Sequence, residues 1–518
     1  MARTWTKDRA TKRIDTRLTE VKTVQIKEYV RDTDLTSLPS ATAYRVNGVH
    51  LYVEILNLDE MLSTTDEEGV TCHRRTLRFL NLHYRAVRRI LEDVDAIEVD
   101  FHNQRLHAVI TKPYDDEIKR VHRAISIGQL IIQVLEETGE DGDDVIPSAR
   151  LRVGIDTGIA LAVNNGRRGH REPLFLGEPA NYAAKRAAGG PAIGIYLTNT
   201  ARSVIKLDQV DSEDDTALTL PEIEASEEEA KLDLAVEDVI DDWNEDLEAN
   251  PIGRFEFSGH TPPFSDLDLE ALSPANSRRQ ELISTYADLD GFTAFVSAHV
   301  HDDEGAKDVV RILHVLRSEL DAVLTADFAG RKVRFIGDCI HGVLAEGTAQ
   351  TTAEEETVST AILCAGALRS SFSLAVQKLQ NNGIDVEGLG LSIGFEFGPV
   401  ALTRLGMKGS MIRCGVGRAV LSSERQQRRC LGTETAIGRV AYDCANEGAQ
   451  AVFGVKRKRA NLDYETALDE LARKDDKTAK TSAAFMKAAT LLQPTTQPPS
   501  SFSFPSRNLT PKKPAGFA

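Results

Sequence analysis

The chain has 518 residues, of which 41% are hydrophobic and 27% charged, enough for two or three ordinary domains with cores of their own. No apolar run reaches the ~18 residues of a membrane span, and the opening MARTWTKDRATKRID lacks the apolar stretch of an export signal, so a cytoplasmic protein is expected. The net charge of −17 says little about partners, because residues 211–250 alone carry 17 Asp and Glu against one Lys, and no basic, aromatic-laced surface for nucleic acid stands on either side.

Residues 1–44 read as a polar, helix-prone extension. A first domain is expected over 45–206, followed by an acidic, mobile linker over 207–275. A second domain is expected over 280–455, a helical extension over 456–492, and a Pro- and Ser-rich disordered tail over 493–518. Six scattered cysteines without a C-x-x-C pair argue against a disulfide framework or a zinc site and fit a reducing compartment.

The two domains repeat each other. LRVGIDTGIALAVNNGRRG (151–169) aligns without gaps on LSIGFEFGPVALTRLGMKG (391–409), and each is expected to form a hairpin turning at its G-x-x-x-G. VDFHNQRLHAVI (99–110) lies on VRFIGDCIHGVL (333–344), and YVEILNLDEML (52–62) on YADLDGFTAF (286–295). Three blocks in one order with nearly constant spacing indicate an internal duplication.

Within the second copy a strand precedes an amphipathic helix over 309–324, strands over 333–336 and 339–345, a helix over 353–381, and the hairpin. Strand, helix, strand, strand, helix, strand is the order of an α+β, ferredoxin-like sheet. No Gly-rich loop of the Walker or dinucleotide type is present.

Asp288 ends the first strand and Asp338 sits in the Gly-Asp turn between the second and third, neighbours in such a sheet. Two carboxylates converging beside a glycine make a site for hard divalent ions. The neighbouring Asp290 reads as a turn residue.

YADLDGFTAF, then RFIGDCIHG, then SIGFEFGPV resemble the catalytic domain of the class III nucleotidyl cyclases, and the resemblance covers both copies. It implies two such domains in tandem, forming a pseudo-two-fold unit, with two Mg²⁺ or Mn²⁺ ions held at Asp288, Leu289 and Asp338 against a nucleoside triphosphate. Backbone N–H groups of Gly291, Phe292 and Thr293 suit the β and γ phosphates. In the first copy Glu54, Gln104 and Asn57 replace Asp288, Asp338 and Gly291. That copy keeps LFLGEPANYAAKRAAGG (174–190), which is similar to the family's helix bearing an Asn that orients the ribose and an Arg that stabilises the transition state. Asn181 matches the Asn, and the cation is Lys185 or Arg186. In the second copy the two positions are Ala419 and Ser423, so the losses are complementary and one composite site per chain is expected, within one chain or between two in a homodimer.

By the same resemblance, Asp100 and Leu174 hold the base-reading positions and match neither adenylyl nor guanylyl cyclases. A carboxylate accepts from uracil N3–H or from the amine of cytosine or adenine. The departure resembles the bacterial Pycsar anti-phage cyclases, which make cyclic UMP or cyclic CMP for a separate effector protein. Cyclic UMP is favoured here; cytidylate or adenylate cyclase activity and a non-catalytic nucleotide sensor are the alternatives.

Overall fold

The computed structural model describes residues 3–31, 33–63, 66–138, 140–141, 144–164, 173–260, 264–348, 350–407 and 411–491. The tail expected to be disordered and the turn residues following the two long strands lie outside them.

The chain opens with helix α1 (Lys7–Glu20), capped by the Thr6 hydroxyl, and a short strand β1 (Gln25–Glu28). The first half continues with β2 (Thr42–Ile55), a short helix α2 (Leu58–Leu62), α3 (Val70–Asp93), β3 (Ile97–His102), β4 (Arg105–Ile110), α4 (Glu117–Glu137) and β5 (Leu151–Val163). Strand β6 (Leu174–Leu176), helix α5 (Glu178–Ala187) and β7 (Gly194–Leu197) follow. Two helices, α6 (Leu220–Ala230) and α7 (Val236–Ala249), occupy the acidic segment, and β8 (Phe257–Ser258) leads into the second half.

There β9 (Ser277–Asp290), α8 (Phe292–His299), α9 (Asp303–Ala322), β10 (Arg331–Ile336), β11 (Cys339–Leu344), α10 (Glu354–Asn381) and β12 (Gly390–Leu405) repeat the order. Strand β13 (Ile412–Val416), helix α11 (Arg418–Arg428), β14 (Glu434–Ile437), β15 (Lys458–Ala460), α12 (Tyr464–Arg473) and α13 (Lys477–Leu491) complete the described chain.

One sheet runs β3-β4-β2-β5-β6, with β1 beside β2 and β7 beside β5. The other runs β10-β11-β9-β12-β14-β15, with β8 beside β9 and β13 beside β12. In both, the first strand lies between the antiparallel hairpin and the long fourth strand, as the ferredoxin-like order requires.

The G-x-x-x-G segments are not hairpin turns. Gly154 and Gly158 lie within β5, and Gly394 and Gly398 within β12. A Cβ on Gly154 would come 2.1 Å from the Ala183 carbonyl of α5, and one on Gly394 would come 2.1 Å from the Gln427 nitrogen of α11. The glycines are gaps that let a helix backbone lie directly on a strand, so each sheet can seat its α5- or α11-type helix.

The acidic segment is not a mobile tether. Val239 and Trp243 of α7 are buried four residues apart, one helical turn, and α6 and α7 pack on α3 and α4. Arg85 pairs with Asp246, Arg89 with Asp242 and Arg202 with Glu222, so the acids face arginines of the first half.

The N-terminal extension joins the two halves. Ala10 and Ile14 of α1 bury against α9 and α10, the Trp5 indole donates to the Ser371 hydroxyl at 2.7 Å, and Arg13 spans Glu319 and Asp327. Strand β1, only a few residues later, adds in parallel to β2 of the other half. Among the described residues, helix α10 alone is long and apolar enough to cross a membrane, and it is buried as a core helix beneath α12 and α13.

Candidate active site

Strand β9 delivers Asp288, Leu289 and Asp290 to the edge of an interdomain cleft and then stops at Gly291. Gly291 has φ 80, and a Cβ there would meet the Gly388 carbonyl oxygen at 2.4 Å, so only glycine fits. Helix α8 starts immediately, and its first intrahelical bond runs from Phe295 N to Gly291 O. The N–H groups of Phe292, Thr293 and Ala294 are therefore left for a ligand at a positive helix end. The Phe292 and Leu289 side chains are buried in the core, which restricts both residues to backbone roles in the cleft. Asp338 arrives from the β10–β11 turn after Gly337, which also has positive φ.

From the other half comes α5. Glu178, Asn181, Tyr182 and Lys185 are spaced by three and four residues, which places them on one helix face. Both sets line a single cleft of about 860 Å³, together with Thr293 and Ser297 of α8. Asn181, Lys185, Asp288, Leu289, Thr293 and Asp338, six residues singled out from the sequence, meet there within one chain.

Four others do not line it. Arg186 turns away from the cleft and pairs with Glu213 and Asp214, so Lys185 is the cation that faces the acids. Phe292 is core. Asp100 is not a lone acceptor, because Arg334 donates to its Oδ1 at 2.6 Å. Leu174 begins β6, half-buried against the hydrophobic core of the second half. Sequence reasoning passed over Glu178, Tyr182 and Ser297, although Glu178 lies three residues before Asn181, Tyr182 three before Lys185 and Ser297 four after Thr293.

Asp288 and Asp338 are half-buried acids that repel each other. Burial, then Asp290, pushes the Asp288 carboxyl up to about 6, and burial, then Asp288, raises Asp338 well above the carboxylate range. Such a pair is the environment a divalent cation relieves. Among the described residues no cluster of three or more His, Cys, Asp or Glu suits a metal. Two carboxylates fit Mg²⁺ or Mn²⁺ in the manner of sites completed by substrate phosphates.

The pseudo-symmetric position is closed by its own residues. Gln104 donates to Glu54 at 2.8 Å, and Arg105 bridges Glu54 at 3.2 Å and Glu424 of α11 at 2.8 Å. Burial drives the Glu424 carboxyl up, but Arg105 and Arg428 overrule it and hold it at about 2. Asn57, in the place of Gly291, sends its side chain to Ser148 O and Arg150 N. Ser423 bonds the Ser284 hydroxyl and Ala419 is buried, but neither is the counterpart expected from the sequence. The helices start at Gly177 and Gly417, a 240-residue register that puts Leu421 and Arg425 at the positions of Asn181 and Lys185.

The adenylate and guanylate cyclase catalytic domain family matches residues 276–458. A protein named uridylate cyclase from Pseudomonas aeruginosa is 54% identical over 499 residues, spanning 95% of this chain and 96% of that one. A second protein of that name, from a Rhizobium species, is 39% identical over 433 residues, spanning 80% and 82%. Among solved structures, a class III adenylyl cyclase-like ATP-binding protein from Pseudomonas aeruginosa superposes with a TM-score of 0.89 at 55% identity, covering 91% of this chain and 100% of that one.

Proposed function

This chain belongs to the class III nucleotidyl cyclases, and we propose that it converts UTP to 3′,5′-cyclic UMP and pyrophosphate in the cleft between its halves. The observation that carries the reading is the meeting of Asp288 and Asp338 with Asn181 and Lys185 in one cavity. The names and near-complete overlap of the two relatives support uracil as the base.

Asp288, Asp338 and the Leu289 backbone are the residues that would hold Mg²⁺ or Mn²⁺. When bound, such ions lower the pKa of the ribose 3′-hydroxyl and neutralise charge on the triphosphate. The chain's own groups do the rest. The free N–H groups at the start of α8 hold the β and γ phosphates, and Asn181 orients the ribose. Lys185 places its ammonium against the charge that develops on the α-phosphoryl group as the 3′-oxygen attacks and pyrophosphate departs.

The two halves are read as two copies of one cyclase-type domain, of which only one interface is armed. Tyr52 stacking on His107 at 3.9 Å and its counterpart Tyr286 on His341 at 4.4 Å support the duplication. Because one chain supplies both sets of residues, no second copy is required to complete the cleft. The six free cysteines fit a cytoplasmic enzyme. The cyclic product is read as a second messenger in antiviral defence, acting on a separate effector, a role supported by the resemblance to the Pycsar cyclases.

Incubation with each of the four NTPs and Mn²⁺, followed by chromatography, tests the reaction. Cyclic UMP from UTP, and none from Asp338→Ala, is expected. Product from ATP or CTP alone reassigns the base, and tight binding without pyrophosphate release makes the protein a sensor.

A further inference from the structure

The helix that carries Asn181 and Lys185 has a second charged face, and it is anchored to the acidic segment. Arg186, one residue past Lys185, places Nη1 2.5 Å from Glu213 Oε2 and Nε 3.3 Å from Asp214 Oδ1. The other Glu213 oxygen accepts from Asn199 N at 2.6 Å, so this carboxylate is itself fixed. Beneath them Arg152, 1% exposed, lies on the Tyr196 ring at 3.4 Å. It donates to the Arg186 carbonyl and to the Asp214 carbonyl, each at 2.6 Å. Gly189, just past α5, permits this approach, since a Cβ there would sit 2.2 Å from Asp214 Oδ1. The matching helix of the other half has no such anchor, because the position of Arg186 there is the uncharged Gln426.

We infer that Arg186 is a positioning residue: with Glu213 and Asp214 it clamps the C-terminal end of α5, so that Asn181 and Lys185 on the opposite face are held toward the acids of β9. The inference rests on the uridylate cyclase reading of the cleft and deepens it, by giving the acidic segment a part in catalysis. A reacting geometry tolerates little slack, and a helix free to rotate about its axis swings Lys185 away from the phosphoryl group.

The full chain with Mn²⁺ and UTP tests it through Glu213→Gln, Arg186→Met, the double variant and Arg186→Lys. Each single neutral variant is expected to lower kcat about tenfold, with KM within about twofold, because alignment is lost and not substrate contact. The double variant is expected to be no worse than either single one, as for two ends of one contact, and Arg186→Lys to recover most of the loss. Asp242→Asn, in the same acidic segment but paired with Arg89 on the far side, is expected to match wild type. Losses that multiply in the double variant make Arg186 a direct catalytic group and overturn the inference, as does wild-type kcat in Glu213→Gln.

Hydrogen exchange over residues 178–187 gives a readout independent of turnover. Faster exchange of α5 in Glu213→Gln, with α11 unchanged, is expected, and an unchanged rate overturns the clamp. If the wild-type protein forms no cyclic UMP, the uridylate reading falls, and exchange alone decides the clamp.

Discussion

Asp100 and Arg334 stand at matching strand positions of the two halves, and each is the other's partner: Arg334 Nη2 donates to Asp100 Oδ1 at 2.6 Å, and Nη1 to the neighbouring Phe101 carbonyl at 2.5 Å. A pair that joins equivalent residues marks the pseudo-two-fold relation between the sheets. Both side chains are largely buried, so either left alone is an uncompensated charge. Asp100→Ala is expected to cost about 3 kcal/mol in urea unfolding, and the exchanged pair Asp100→Arg with Arg334→Asp to recover much of it. Asp100→Asn is expected to leave the choice of base unchanged, which NTP competition checks.

Asp338→Asn is expected to abolish turnover, by about 1000-fold or more, and at the same time to stabilise the metal-free protein by about 1 kcal/mol. Two half-buried acids repel each other through Asp338, and the amide removes that repulsion. Kinetic assay and thermal unfolding in chelator should therefore move in opposite directions. Lower stability of the variant would argue against mutual repulsion at the site.

Gly291→Ala forces a side chain into φ 80 and against the Gly388 carbonyl. Strain of about 1–2 kcal/mol is expected from the backbone alone, with the clash added. Because the displaced segment is the phosphate-facing start of α8, KM for UTP should rise by about tenfold or more. Titration of nucleotide binding checks it.

A pH dependence is expected from Asp156 of β5, which does not itself line the cleft. Burial raises its carboxyl from 3.8 to about 7, opposed by a hydrogen bond from Thr198. A raised folded pKa means stability that is present below about pH 4 and lost as pH climbs through 7. Urea midpoints of Asp156→Asn should fall less between pH 5 and 8 than those of wild type.

The matching order of strands and helices in the two halves and the acid pair are legible in the sequence because each rests on local pattern: apolar periodicity, a Gly-Asp turn, a strand ending in carboxylate. Periodicity places α9 over 309–324 where it spans Asp303–Ala322, and α10 over 353–381 where it spans Glu354–Asn381. The G-x-x-x-G segments mislead because glycine signals a turn as readily as a close approach, and only the helix lying on the strand tells them apart. The acidic segment misleads because its charge count hides Val239 and Trp243, two anchors whose value depends on a groove formed elsewhere in the chain. The choice between Lys185 and Arg186 is open in composition but not in phase: four residues from Asn181 keeps the face and five residues leaves it.

The strap formed by α1 and β1 also sets a schedule. Helix α1 is made early, yet its partner helices begin only at Asp303 (α9) and Glu354 (α10), the nearer of them roughly 280 residues later. At ~5–20 residues per second that is an interval of roughly 15 to 60 s in which the faces of Ala10 and Ile14 have no seat. The first sheet can close around β1 during this time, so the nascent chain holds a folded half with a loose apolar helix at its edge. The cleft can form only after that interval begins to close, because it joins α5 of the first half to β9, α8 and the β10–β11 turn of the second.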